Sequence, residues 1–183
     1  IRQTSFVEDV RNIVQATGVD PCLIELEVTE TELMADVEQA QAVLQQFREM
    51  GMHVAIDDFG TGYSSLSHLK NFVVDKLKID KSFIDDVTTD NRDAAVVAAT
   101  IAMSKLLNVT VTAEGVETEE QFNFLQKRQC DSMQGYLLSK PVTVDQIDEM
   151  LAERNSETQP NLPSQQPAAE KNDVSADSAE AVT

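Results

Sequence analysis

His53-Val54-Ala55-Ile56-Asp57-Asp58-Phe59-Gly60-Thr61-Gly62-Tyr63-Ser64-Ser65-Leu66 sets two adjacent carboxylates at the end of a short apolar run and follows them with a glycine-rich turn. A run of this kind reads as a strand covered on both faces, because a half-solvated strand would alternate. Asp57 and Asp58 cannot both point into a sheet, and like charges this close stay ionised together only near cations. Gly60 and Gly62 permit a tight or mobile loop, while Thr61, Ser64 and Ser65 offer hydroxyls to a helix start or a phosphate. A solvated turn before a capped helix explains the same residues, so the stretch needs companions.

The companions lie on either side. Further strand candidates span 23–28, 76–79, 109–113 and 133–138, beside 53–56 itself, and segments of helical period span 31–50, 64–71, 92–107, 119–128 and 144–153. Thr118 followed by Glu119, Glu120 and Gln121 reads as a capping box, and Asn108 stands where a helix leaving Leu107 needs a left-handed residue. Each strand runs out into polar residues: Glu27 and Glu30, Asp57 and Asp58, Lys78 and Asp80, Glu114 and Glu117, then Gln134. A β/α barrel gathers functional residues at the C-terminal ends of its strands, but a doubly wound open sheet does the same, so periodicity alone does not choose. Five strand–helix units are legible where a closed barrel needs eight, and the chain opens at Ile1 on a helix in progress. The expectation is therefore an N-terminally truncated barrel domain over 1–154. Beyond it, 155–183 is rich in Ser, Gln, Ala, Asp and Glu, is interrupted by Pro160, Pro163 and Pro167, and reads as a disordered acidic tail.

Fourteen basic residues against thirty-two acidic ones give a net charge of −18, which repels polymeric nucleic acid. An acidic protein still binds a small phosphodiester if divalent cations sit between its carboxylates and the phosphate. No apolar run is long enough to cross a membrane and no secretory leader is visible, so this segment is expected to be cytoplasmic and free of membrane contact, with an upstream anchor left open. Cys22 and Cys130 stand apart, outside any metal-ligand or disulfide spacing, and read as buried free thiols.

Carboxylates at successive strand ends suit Mg²⁺ or Mn²⁺ far better than zinc, which draws on His or Cys. His53 opens a strand and His68 sits in a helical segment, so both read as structural or exposed. Lys78 would place one ammonium inside the acidic rim, either as a salt bridge to a neighbour or to orient the attacking water and phosphoryl oxygens.

The stretches Glu25-Leu26-Glu27-Val28-Thr29-Glu30, DDFGTGYSSL at 57–66, Lys76-Leu77-Lys78-Ile79-Asp80, Ala113-Glu114-Gly115-Val116-Glu117-Thr118 and Gln134-Gly135-Tyr136-Leu137 together resemble the EAL-domain cyclic di-GMP phosphodiesterases. The resemblance runs from about Ser5 to Ala152. It implies a modified TIM barrel and hydrolysis of cyclic di-GMP to linear pGpG by two Mg²⁺ or Mn²⁺ ions. It implies that Glu27, Asp57, Asp58 and Glu114 are metal ligands, with Asp57 shared between the ions. Lys78, Glu114 and Gln134 are the implied catalytic residues, and Glu30 and Glu117 anchor the loop from Asp58 to Ser65. A homodimer through that loop and the following helix is implied too. The Glu-Ala-Leu signature, the arginine beyond it and a metal-binding asparagine would precede residue 1, so the chain alone is expected to be inactive. Val73 and Asn108 replace the usual proline and glycine. The competing expectation is a catalytically inactive domain of the same family that serves as a cyclic di-GMP receptor.

Overall fold

The computed structural model describes residues 5–62 and 72–157, with side chains through residue 153. The expected helix over 64–71, His68 and most of the expected tail lie outside the described residues. The chain divides into two compact units, Ile1–Pro141 and Val142–Thr183.

The first unit is built on a parallel sheet of five strands: β1 (Glu25–Thr29), β2 (His53–Phe59), β3 (Lys76–Ile79), β4 (Thr110–Ala113) and β5 (Ser132–Met133). Their spatial order is their chain order. A doubly wound sheet reverses direction at a switch point, whereas a barrel wall adds each strand beside its predecessor, so the order decides what periodicity left open. Among the described residues of this unit, the helices are α1 (Phe6–Thr17), α2 (Glu30–Ala35), α3 (Val37–Glu49), α4 (Lys81–Asp85), α5 (Asn91–Leu107) and α6 (Glu119–Lys127). Leu33, Leu44, Val54, Ile56, Leu77, Ile79, Ile84, Val97, Val111 and Leu125 are buried in one core between sheet and helices. A second cluster joins α1 to α3, with Phe6 edge-on to Phe47 at 5.6 Å between ring centroids. Each such large side chain contributes about 1.5–3 kcal/mol on burial.

The N-terminal ends of the strands are tied together by aspartates. Just before β3, Asp75 accepts the Val54 N–H at 2.9 Å with one carboxylate oxygen and pairs with Arg48 Nη1 of α3 at 2.6 Å with the other. Its carbonyl accepts both the N–H and the hydroxyl of Thr110 at 3.0 Å. Just before β5, Asp131 repeats the device, accepting the Val111 N–H at 2.8 Å. His53 is exposed at this end, with Nδ1 3.7 Å from Asp75.

Several local expectations change. The helical segment over 31–50 is two helices, because the Asp36 carboxylate accepts the Gln39 N–H at 3.0 Å and starts α3 afresh. The strand over 23–28 begins later, since Pro21–Leu23 forms a 3₁₀ turn capped by Asp20. The strand over 133–138 is only Ser132–Met133: past Gln134 the chain turns, with the Leu138 and Ser139 N–H groups donated to the Gly135 carbonyl. A short helix, α4, follows Asp80, whose carboxylate accepts the Ser82 N–H. Cys22 is exposed rather than buried, and Cys130 is partly covered. The capping box at Thr118 and the left-handed Asn108 (φ 57°, ψ 41°) are as expected.

In the second unit, α7 spans Val144–Glu157. It starts on a reciprocal cap in which Gln146 Oε1 accepts the Thr143 N–H at 2.9 Å.

Candidate active site at the C-terminal rim of the sheet

The paired aspartates sit in a bulge. Ile56 pairs with Leu77 and Phe59 with Ile79, so Asp57 and Asp58 together oppose the single residue Lys78. The extra residue is accommodated by a left-handed Asp58 (φ 54°), a conformation that Asp tolerates better than most side chains. The Asp58 N–H donates to Asp57 Oδ1 at 3.0 Å, which holds the first carboxylate against the backbone of the bulge.

Lys78 is the centre of the cluster. Its Nζ lies 2.7 Å from Glu27 on β1, 3.2 Å from Asp57 on β2 and 2.8 Å from Glu114 after β4, and its side chain is only 8% exposed. Burial alone would lower its pKa, but hydrogen bonds to Glu114, Glu27 and Asp57 outweigh that and raise it, so Lys78 is a fixed positive charge. Asp58 goes the opposite way for a carboxylate: partial desolvation, then the charges of Asp57 and Asp80, raise its pKa against the pull of Lys78.

The remaining rim residues are held by what surrounds them. Glu30, at the start of α2 and 1% exposed, accepts the Gly60 N–H at 2.9 Å. A Cβ at Gly62 would come within 2.5 Å of the same carboxylate, so the loop crosses Glu30 at a distance only glycine allows. The Glu114 N–H donates to the Ile79 carbonyl at 3.1 Å. Glu117 pairs with Lys81 Nζ at 2.5 Å, and the stem of Lys81 lies over Gly115 (φ 71°), where a Cβ would stand 2.3 Å from Cγ. Gln121 Oε1 accepts the N–H groups of Glu117 and Thr118 at 2.8 and 2.9 Å, while its amide donates to the Ile84 carbonyl at 3.0 Å. Gln134 is exposed at the end of β5, its N–H on the Ala113 carbonyl at 2.8 Å and its carbonyl accepting from Val116 at 3.0 Å.

Glu27, Asp57, Glu114 and Lys78 are thus brought into direct contact, with Asp58 adjoining through the bulge. Glu30 meets the described part of the 58–65 loop, and Glu117 meets Lys81. The sequence reading missed Lys81 and the second half of Gln121's role. Gln121 carried a signal, since the third position of a capping box is oriented toward the strand-end loop; nothing marked Lys81.

All the donors gathered here are hard oxygen atoms, which fit Mg²⁺ or Mn²⁺. Among the described residues, no three carboxylates or other ligand groups are arranged to hold an ion on their own. The three nearest are drawn onto the Lys78 ammonium instead.

A parallel wall with strands in chain order and its charged residues at their C-terminal ends defines a TIM-barrel-like domain. The chain belongs to the EAL domain family, which it matches over residues 1–141. It is 42% identical over 160 residues to the cyclic di-GMP phosphodiesterase NbdA of Pseudomonas aeruginosa, covering 87% of this chain and 20% of that protein. Among solved structures it is similar to the MucR phosphodiesterase of the same organism in complex with cyclic di-GMP, at 42% identity and a TM-score of 0.77, covering 80% of this chain and 59% of that one. It is also similar to a manganese/cyclic di-GMP complex of Klebsiella pneumoniae BlrP1, at 38% identity and a TM-score of 0.71, covering 76% and 36%. The chain spans about a fifth of the length of the curated relatives it matches. Family and fold agree with the sequence reading. Among the described residues, no helix is long and apolar enough to cross a membrane.

Proposed function

We propose that this chain forms part of a cyclic di-GMP phosphodiesterase that hydrolyses one 3′,5′ bond of the dinucleotide to give linear pGpG. The observation that carries the reading is the convergence of Glu27, Asp57 and Glu114, at the ends of three strands, on buried Lys78, at the rim where a barrel does its chemistry. The likeness to structures whose names include cyclic di-GMP, one of them with manganese, supplies the substrate class.

In this reading Glu27, Asp57, Asp58 and Glu114 would hold two Mg²⁺ or Mn²⁺ ions, Asp57 serving both. Bound there, the ions would supply Lewis-acid polarisation of the phosphodiester and lower the pKa of a water. Lys78 orients that water and offsets charge building on the phosphoryl oxygens. Glu114 would take the water's proton as well as ligate, and Gln134 would hydrogen-bond near the phosphate. Glu30 and Glu117 set the loops that carry Asp58 and Glu114. A homodimer through the EAL domain belongs to the same proposal, and sedimentation of the intact protein tests it.

The experiment is turnover of cyclic di-GMP by the purified intact protein with Mg²⁺ or Mn²⁺, followed by chromatography. The expected product is pGpG, lost on chelation. Binding of the dinucleotide with no pGpG under any metal would replace the enzyme by a receptor.

A further inference from the structure

We infer that Lys78 sets the metal affinity of this site: its ammonium is an internal cation with which a divalent ion must compete for Glu27, Asp57 and Glu114. The inference rests on reading those carboxylates as metal ligands. It goes beyond that reading by assigning Lys78 a part in the equilibrium before any substrate is present.

Three features of the chain carry it. First, two of the carboxylates come from different strands and the third from just past another, yet each has an oxygen within 3.2 Å of one nitrogen. An ammonium donates three hydrogen bonds and no more, so these contacts use its whole donor capacity. Second, the nitrogen is deeply placed. Lys78 lies on a central strand with its side chain 8% exposed, so water cannot replace the carboxylates without opening the rim. Third, the positions are fixed by the fold. Lys78 is the residue opposite the bulge, and Glu114 is pinned through its N–H to the neighbouring Ile79 carbonyl. The backbone therefore delivers these carboxylates to a cation whether or not metal is available.

Mg²⁺ and Mn²⁺ need oxygen atoms at roughly 2.0–2.2 Å, closer than an ammonium holds them. Lys78 engages one oxygen of each carboxylate, so an ion that ligates through the others must share its partners with the ammonium, or the ammonium must move off. Metal binding and the triple ion pair therefore draw on the same three carboxylates, and two positive charges that share them repel each other. The ammonium also gives the metal-free protein a rim in which three negative charges do not face one another uncompensated.

The test uses Mn²⁺ alone, with no nucleotide, titrated into the intact protein and its Lys78→Met variant by electron paramagnetic resonance. The expected result is that Lys78→Met binds Mn²⁺ about tenfold or more tightly than the parent, within the usual range for coupling between competing ligands. Without metal the variant should melt lower than the parent, and Mn²⁺ should raise its melting temperature by more than it raises the parent's. Turnover of cyclic di-GMP should fall in the same variant, so affinity and activity move in opposite directions, which mere loss of structure would not produce. If Lys78→Met does not fold without metal, Lys78→Gln, which keeps a hydrogen-bonding head but no charge, carries the same expectation. Equal or weaker Mn²⁺ binding by the neutral variants overturns the inference while leaving the metal site in place. No Mn²⁺ binding by the parent removes the metal site and the inference with it.

Discussion

The two ends of one sheet use the same side chain for opposite purposes. At the N-terminal end, Asp75 and Asp131 each accept a main-chain N–H from the preceding strand, and Asp75 also pairs with Arg48. These carboxylates complete a strand edge and face neutral dipoles or one partner each. At the C-terminal end, Asp57 and Asp58 are crowded into a bulge, and Asp57 shares one ammonium with two glutamates. Crowding charge in this way stabilises nothing unless a cation is present, whereas tying down an edge stabilises the fold in any buffer. A carboxylate spent on backbone amides signals architecture, and carboxylates that compete for one cation signal chemistry.

Exchanging the two kinds of aspartate should separate activity from stability. Asp57→Asn is expected to lower cyclic di-GMP turnover by at least roughly a hundred- to a thousandfold, because one ligand serves both proposed ions. It should alter unfolding free energy by less than about 1 kcal/mol, since Lys78 keeps Glu27 and Glu114. Asp75→Ala should do the reverse: about 2–4 kcal/mol lost in urea denaturation, from a charged hydrogen bond and an orphaned Val54 N–H, with turnover per folded molecule kept. A catalytic defect in Asp75→Ala as large as that in Asp57→Asn would collapse the distinction.

A residue between these extremes sharpens it. Glu117→Ala breaks a half-exposed pair with Lys81, so stability should change by less than about 1 kcal/mol. Turnover should fall roughly ten- to a hundredfold as the loop carrying Glu114 loses its tether, read as a drop in kcat larger than any rise in KM. Asp131→Ala, with one amide to lose, should cost about 1–2 kcal/mol and leave kinetics alone.

The smallest effect concerns the two thiols, both near the N-terminal end. The hydrogen bond with Asp20 pushes the exposed Cys22 thiol above its ordinary pKa, and burial does the same to Cys130. A raised thiol pKa leaves less thiolate at a given pH, so iodoacetamide labelling of Cys22 should accelerate only above the ordinary thiol range, and Asp20→Asn should shift that profile down. Cys22 should label before Cys130. An adduct at Cys22 that weakened Mn²⁺ binding would show the two ends to be coupled.

Much of the C-terminal rim was legible because parallel strands end in residues that have no packing reason to be charged. Glu27, Asp57, Lys78 and Glu114 were visible as interruptions of apolar runs, and the family resemblance placed them in one site. The N-terminal rim was not legible. Asp75 and Asp131 resemble ordinary loop acids in sequence, and only strand pairing shows which amides they reach. The bulge was equally hidden: a pair of aspartates says that something must give, but not that β2 continues to Phe59. Asp36, inside an unbroken helical period, was read through because a capping residue and a solvated one look alike before the turn is seen. Gly135, packed against the backbone of Val116, ends β5 where an apolar pattern continues.

That one-residue insertion in β2 also has a meaning for anyone moving this chemistry elsewhere. Side chains along a strand change face at every residue, so the extra position resets which face Phe59 takes, and Phe59 is buried in the core. Transplanting the aspartates onto a regular strand would deliver one carboxylate to the rim and send either its neighbour or the next aromatic to the wrong side. The portable unit is the pair together with its irregularity.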